Sequence, residues 1–406
     1  MTCLTIRFFK STKMPSSTTS SSFPLRPTTM EIDLDALVFN YRELKRRAGS
    51  AKVMAVVKAN AYGHGIVECA AVLERECQAD YFGVALVEEG VKLRQAGIRA
   101  PILIFGGILS DQVGVYLEHD LDLTASSVDK LLLIESVAKA HGKRARIHVK
   151  IDTGMGRIGV RPSSAKKVFE AACAAQHCQL VGVFTHFATS DEPDLSFTRE
   201  QLQRFNACLR FFPETGREFP LRHAANSGAL FQVPGSALDM VRCGVSLFGV
   251  SPSEHLDGVV SKALRPVMKV LSRVVYFKVV QTGESVSYGR TWTAECDTRV
   301  VTIPVGYGDG YTRALSNRAQ VLIRGRRFPI IGRVCMDQIM VNIGKGEAFN
   351  GDEVVLVGEQ GKERITIEEL AFLAGTISYE VLTALNLRIP RRYLQKGVVV
   401  SEDHIG

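Results

Sequence analysis

Several side chains able to do covalent or acid–base work fall where an apolar run ends. Val53 to Val57 reads as a buried strand, and Lys58 follows it in Ala55-Val56-Val57-Lys58-Ala59-Asn60-Ala61-Tyr62-Gly63-His64-Gly65. A strand that ends in lysine and turns through glycines into a helix points an amine into the mouth of an α/β sheet, where such folds do their chemistry. Further on, His186 ends one apolar run, Ser227 follows another, and Arg242-Cys243-Gly244 closes a third. A strand-end lysine can form a Schiff base with an aldehyde cofactor. Ser227 and the Gly244-Val245 backbone offer donors for a phosphate, and Gly244 lets it approach the chain closely. Arginine only donates hydrogen bonds and stays charged. Facing a pyridine nitrogen, Arg242 would leave it unprotonated, weaken the ring as an electron sink and disfavour transamination. Proton removal and return at an α-carbon is what remains, on pyridoxal phosphate (PLP).

The elements that must position these groups alternate. Candidate strands at 53–57, 81–86, 102–105, 121–124, 145–151, 179–185, 221–225 and 239–243 are separated by helical patterns near 66–77, 88–96, 111–118, 127–141, 162–175 and 196–212. A short helical pattern follows Ser227. Eight strand candidates over about 200 residues point to an α/β fold with a parallel (β/α)8 TIM-type barrel spanning 30–265. No G-x-G-x-x-G follows the first strand, which argues against an open dinucleotide-binding sheet. From 266 to 406 the pattern changes to short β-rich pieces divided by Gly, Asp and Asn, a second and mostly β domain. On the barrel reading, the polar clusters at Lys58, Lys150, His186, Ser227 and Arg242 converge on one rim.

Composition excludes some classes. The apolar share is 46% and the charged share 23%, and no apolar run approaches a membrane span. A net charge of +8 is modest, and basic clusters such as Arg324-Gly325-Arg326-Arg327 read as solvated loops rather than a nucleic-acid face. The nine cysteines lack zinc-site spacing and suit free thiols in a reducing compartment, so a cytoplasmic location is expected. Residues 1–29 are rich in Ser and Thr and free of acids, which fits a disordered tail, a targeting-like segment or an over-long reading frame ahead of Met14 or Met30. The disordered tail is favoured.

The Lys58 stretch resembles the cofactor-lysine segment of alanine racemases. The resemblance continues through Lys150-Ile151-Asp152-Thr153-Gly154-Met155-Gly156-Arg157, Thr185-His186-Phe187-Ala188-Thr189 and Val241-Arg242-Cys243-Gly244. In the second domain it includes Val286-Ser287-Tyr288-Gly289, Pro304 to Tyr311, Cys335-Met336-Asp337-Gln338 and Ser378-Tyr379-Glu380. It implies PLP held on Lys58, which also serves as one base. It assigns Tyr288 as the opposite-face base, reaching across from the partner of a homodimer. Tyr62, Ser227, Gly244, Val245 and Tyr379 would hold the phosphate, Arg242 the pyridine nitrogen, and His186 would sit by the ring. Arg157 would meet the ring hydroxyl and the substrate carboxylate, assisted by the Met336 backbone N–H. In many members the lysine matching Lys150 is carbamylated and supports that arginine. Tyr307, Arg313, Arg333 and Asp337 would shape the entrance and dimer contact. Gly308 departs from the family, which more often carries alanine there. The implied activity is interconversion of L- and D-alanine, supplying D-alanine for peptidoglycan, with a serine or broad-specificity racemase as the alternative. Tyr288 alone is a poor base at neutral pH and needs a cationic neighbour. His64 is expected to fix its loop rather than to catalyse.

Overall fold

The computed structural model describes residues 26–403, so most of the expected tail lies outside the described residues. The first strand, β1 (Thr29–Asp33), is followed by the barrel strands β2 (Lys52–Val56), β3 (Tyr81–Val84), β4 (Ile102–Ile104) and β5 (Leu123–Ala125). Next come β6 (Ala145–Lys150), β7 (Cys178–Phe184), β8 (Leu221–His223) and β9 (Met240–Cys243). Parallel ladders join β2 to β3, β3 to β4, β5 to β6, β6 to β7, β7 to β8, and β9 back to β2. The bridge Leu103–Asp122 links β4 to β5. Between β8 and β9 the seam is held by Arg242 N–H to the Ala225 carbonyl at 2.9 Å and Asp239 N–H to Arg222 at 3.0 Å. The sheet therefore closes on itself as the expected (β/α)8 barrel.

Parallel strands need crossovers, and the sequence supplies amphipathic helices. The helix Ile66–Cys77 buries Ile66, Cys69, Ala70 and Leu73, one face at helical spacing. The helix Val128–Ala140 starts at Ser127, whose side chain accepts from Lys130 N–H at 3.1 Å.

The second domain is built on an eleven-stranded, mostly antiparallel sheet with Tyr276–Val280 at one edge and Val398–Asp403 at the other. β1 lies inside this sheet, antiparallel to Met268–Arg273 and parallel to Arg391–Gln395. Its alternation buries Met30 and Ile32 completely. Asp33 then caps the helix Leu34–Ala48, accepting from Ala36 N–H at 2.9 Å, and this helix packs back on the barrel. One continuous apolar core runs through both parts, so the barrel rim and the β-rich domain are held in fixed register.

Candidate active site

Lys58 leaves β2 into an unusual turn. Ala59, Asn60, Ala61 and Tyr62 all have φ between 50° and 54°, a left-handed turn built without glycine and closed by Gly63 at 83°. Each such residue costs roughly 1–2 kcal/mol, least for Asn, so outside contacts must hold the turn. Glu89 accepts from Ala59 N–H at 2.7 Å, and from Ala85 and Leu86 N–H at 2.9 and 3.1 Å. Asn60 Oδ1 accepts from Ile66 N–H at 3.0 Å. From the second domain, the fully buried Arg391 donates from Nε to the Gly63 carbonyl at 2.7 Å. Cβ atoms on Gly63 and Gly65 would stand 2.4 Å from the Leu382 carbonyl oxygen and 1.9 Å from the Tyr393 hydroxyl, so the two domains clamp this loop directly. His64 is buried, stacks on Phe248 at 4.3 Å and bonds the Ala61 carbonyl through Nδ1 at 2.8 Å, a loop-fixing role.

The turn opens on a cavity of about 180 Å³ lined by Lys58, Tyr62, Lys150, Arg157, His186, Ser227, Arg242, Gly244, Val245 and Tyr379. Val56, Phe105, Phe184 and Asn226 complete the wall. A larger cleft of about 500 Å³ lies between the domains near Glu31 and Lys269, but it gathers no such set of groups. Four cations and no carboxylate line the smaller cavity. That imbalance calls for an anionic occupant. Burial, then the Arg157 charge, push the Lys58 amine below the ordinary lysine value. Burial, then Arg157 and Arg242, push Lys150 down to about 8. Lys150 is only 4% exposed, and its side-chain amine has no hydrogen bond among the described residues. Burial and then Arg242 hold the His186 ring neutral, far below its usual range.

Arg242 is fully committed except at one atom. Nη1 donates to the His223 carbonyl at 2.9 Å, and Nη2 to Thr185 and Ala224 at 2.6 and 2.9 Å. Burial works against its charge, but three carbonyl acceptors keep it protonated. The Nε–H has no partner among the described residues and is the donor left for an acceptor in the cavity. Elsewhere in the lining, Gly244 N–H donates to Ser227 Oγ at 3.0 Å, and a Cβ on Gly244 would lie 2.4 Å from the Tyr62 hydroxyl. The donors around Ser227 and Gly244 and the spare Arg242 Nε–H, gathered in one cationic cavity, fit PLP.

Behind Arg242 runs a polar chain that strand patterning does not reveal. His223 Nε2 meets His148 Nδ1 at 3.0 Å, and His148 Nε2 meets Asp122 at 3.2 Å. Arg146 and Tyr81 also donate to Asp122. Burial pushes Asp122 up, but the bonds from His148 and Arg146 outweigh it and hold the carboxyl low. Polar residues in the middle of β6 and at the end of β8 were the signal for this chain. Glu89 was also missed, since a glutamate in the first turn of a helix reads as ordinary capping.

The remaining residues singled out lie elsewhere. Tyr288, Tyr307, Arg313 and Arg333 line a separate open cleft on the second domain, with Tyr288 69% exposed. Met336 is exposed beside the Tyr307 turn, its carbonyl accepting from Gly308 N–H at 2.9 Å, and Asp337 pairs with Arg388 at 2.7 Å. None of these six lines the Lys58 cavity.

Comparison with known proteins agrees with this geometry. The family description "Alanine racemase, N-terminal domain" matches residues 32–252, and "Alanine racemase, C-terminal domain" matches 267–393. The chain is 44% identical over 378 residues to alanine racemase 2 of Caldanaerobacter subterraneus subsp. tengcongensis, covering 92% of this chain and 97% of that one. It is 45% identical to an alanine racemase of Symbiobacterium thermophilum, covering 91% and 97%. The solved alanine racemase of Clostridium difficile 630 superposes with a TM-score of 0.86 at 38% identity, covering 93% and 98%. The Bacillus anthracis alanine racemase structure, which carries bound L-Ala-P, also gives 0.86, at 35% identity and 93% and 97% coverage. On the matched domains, the near-complete relatives and the cationic barrel cavity, the chain belongs to the alanine racemase family of PLP-dependent isomerases.

Proposed function

We propose that this alanine racemase works through sites shared by two copies of the chain, with Lys58 and Tyr288 as the two bases. The observation that carries this reading is the separation described above. Among the described residues, the other ionisable groups of the Lys58 cavity are given to cofactor and substrate binding in this reading, while Tyr288 stands exposed on another cleft with Arg313 and Arg333. When bound, PLP would supply an electron sink for the charge left when the α-proton departs.

The chain's own groups do the rest. Tyr62, Ser227, Gly244, Val245 and Tyr379 would hold the phosphate, and the Arg242 Nε–H would face the pyridine nitrogen. Because the guanidinium only donates, Arg242 would leave that nitrogen unprotonated and so limit side reactions to those needing little charge on the ring. His186, held neutral by burial and Arg242, would stand beside the ring without adding charge. Arg157, exposed and with no hydrogen bond among the described residues, orients the substrate carboxylate and the ring hydroxyl, assisted by the Met336 N–H. The depressed Lys58 amine takes or returns a proton on one face. Tyr288, whose cleft also gathers Arg313 and Arg333, does so on the other. Lys150, uncharged for a share of the time near neutrality, can take up carbon dioxide as a carbamate and give Arg157 an anionic partner. Tyr307 and Asp337 frame the entrance.

The cellular role assigned is D-alanine supply for peptidoglycan in the cytoplasm. Eight free cysteines among the described residues suit a reducing compartment. Chiral analysis of incubated L-alanine tests the activity. Mixing inactive Lys58→Ala and Tyr288→Phe proteins, under conditions that exchange subunits, tests the shared site. Activity should return, because each mixed dimer has one site with both bases. No activity from proven mixed dimers would refute the arrangement.

A further inference from the structure

We propose that Arg26, upstream of both matched domains, is a positioning residue for the entrance turn Tyr307–Tyr311 and acts on the site completed by the second copy. This rests on the shared-site reading above. The turn is centred on Asp309, whose side chain is 0% exposed. Its Oδ2 accepts from Gly306 N–H at 3.0 Å, closing the turn, and lies 2.6 Å from the Arg26 guanidinium. Its Oδ1 has only Arg388 Nε, at 3.5 Å. Arg388 is 45% exposed and is also held by Asp337 at 2.7 Å. Arg26, at 20%, is the better-shielded cation and the closer one.

The same residue ties the chain start to the turn's surroundings. Arg26 also donates to the Arg388 and Pro304 carbonyls, and Thr28 Oγ1 donates to Pro304 at 2.7 Å. The turn in turn carries the segment with Met336, through Tyr307 N–H to Cys335 at 3.0 Å and Gly308 N–H to Met336 at 2.9 Å. Gly308 matters here, since a Cβ would stand 2.1 Å from Arg388 Nη1 and crowd the second cation. A buried carboxylate that loses its closest cation must recruit water or swing outward. Either response moves Tyr307 and Met336 together.

Steady-state kinetics of Arg26→Met and Arg26→Lys holoenzymes test the proposal first. Arg26→Met should lose about tenfold in kcat/KM, carried mainly by a higher KM, which is a modest fraction of what a 1 Å misplacement can cost. Arg26→Lys should recover most of it. The decisive arm places Arg26→Met in one subunit of the Lys58→Ala/Tyr288→Phe mixed dimer, whose single working site takes Tyr288 and its entrance turn from the Lys58→Ala chain. The KM defect should appear when Arg26→Met is in the Lys58→Ala chain and vanish when it is in the Tyr288→Phe chain. A defect of equal size in both placements, or an unchanged KM in the homodimer, would overturn the proposal. If the parental mixed dimer is inactive, the shared site itself fails, and the homodimer KM split with lysine rescue then decides the role of Arg26.

Discussion

Replacing Glu89 with alanine should disable the enzyme without touching substrate or cofactor. The left-handed turn after Lys58 stores about 3–6 kcal/mol in Ala59, Ala61 and Tyr62 together, at roughly 1–2 kcal/mol each. The Glu89 carboxylate holds its first residue through Ala59 N–H at 2.7 Å and anchors itself on Ala85 and Leu86 N–H. A hydrogen bond to a charged group contributes about 1.5–3 kcal/mol. Losing about 2 kcal/mol from the left-handed form would let Lys58 wander and lower kcat/KM about 30-fold. Glu89→Gln keeps one carbonyl acceptor but turns its amide toward the other donors, so an intermediate loss of about fivefold follows. Steady-state racemisation, read by chiral chromatography, gives the rate. Borohydride trapping gives the fraction of cofactor linked to Lys58, which should fall in the same order. Rates within twofold of the parent with undiminished trapping would refute the view that Glu89 holds this turn.

Lys58→Ala should abolish racemisation by removing both the cofactor tether and one base, and full activity without added amine would sink that assignment. Arg242→Glu should slow racemisation and raise transamination product, measured as pyruvate released from alanine, because an acidic partner favours a protonated ring; an unchanged product profile would place the arginine off the ring. Gly244→Ala should weaken PLP binding by tenfold or more, on the order of the overpacking penalty of 1–3 kcal/mol, since its Cβ would meet the Tyr62 hydroxyl at 2.4 Å; equilibrium dialysis of the apoprotein reads this. Lys150 is held down at about 8 against an ordinary 10.5, so the unfolded chain binds more protons between those values and the apoprotein should gain stability as pH rises from about 8 to 9.5. A Tm that falls over that range, or a rise that is undiminished in Lys150→Met, would refute Lys150 as a source of the gain, since the depressed Lys58 amine contributes in the same direction.

The sequence by itself determined the barrel and most of the cofactor cavity. Strand and helix periods are local, and each apolar run from Val53 to Cys243 carries its own pattern. A parallel barrel places every strand end on one rim, so Lys58, Lys150, His186, Ser227 and Arg242 converge once the strands are known. What followed from pairing across long separations was not legible. Alternation in Thr29–Asp33 shows a half-buried strand but not which sheet takes it, and that strand joined the second domain. Ala59-Asn60-Ala61-Tyr62 contains no glycine to announce positive φ; the turn exists because Glu89, Arg391 and the Leu382 backbone press on it from elsewhere. Arg26 could not be matched to Asp309, nor His148 to His223, because ion pairs and buried hydrogen bonds leave no period in the chain. Only the tertiary structure separates Tyr288 from the Lys58 cavity. Propensity and burial pattern act within a few residues, whereas a buried charge or a strained turn is set by whatever the rest of the fold brings against it.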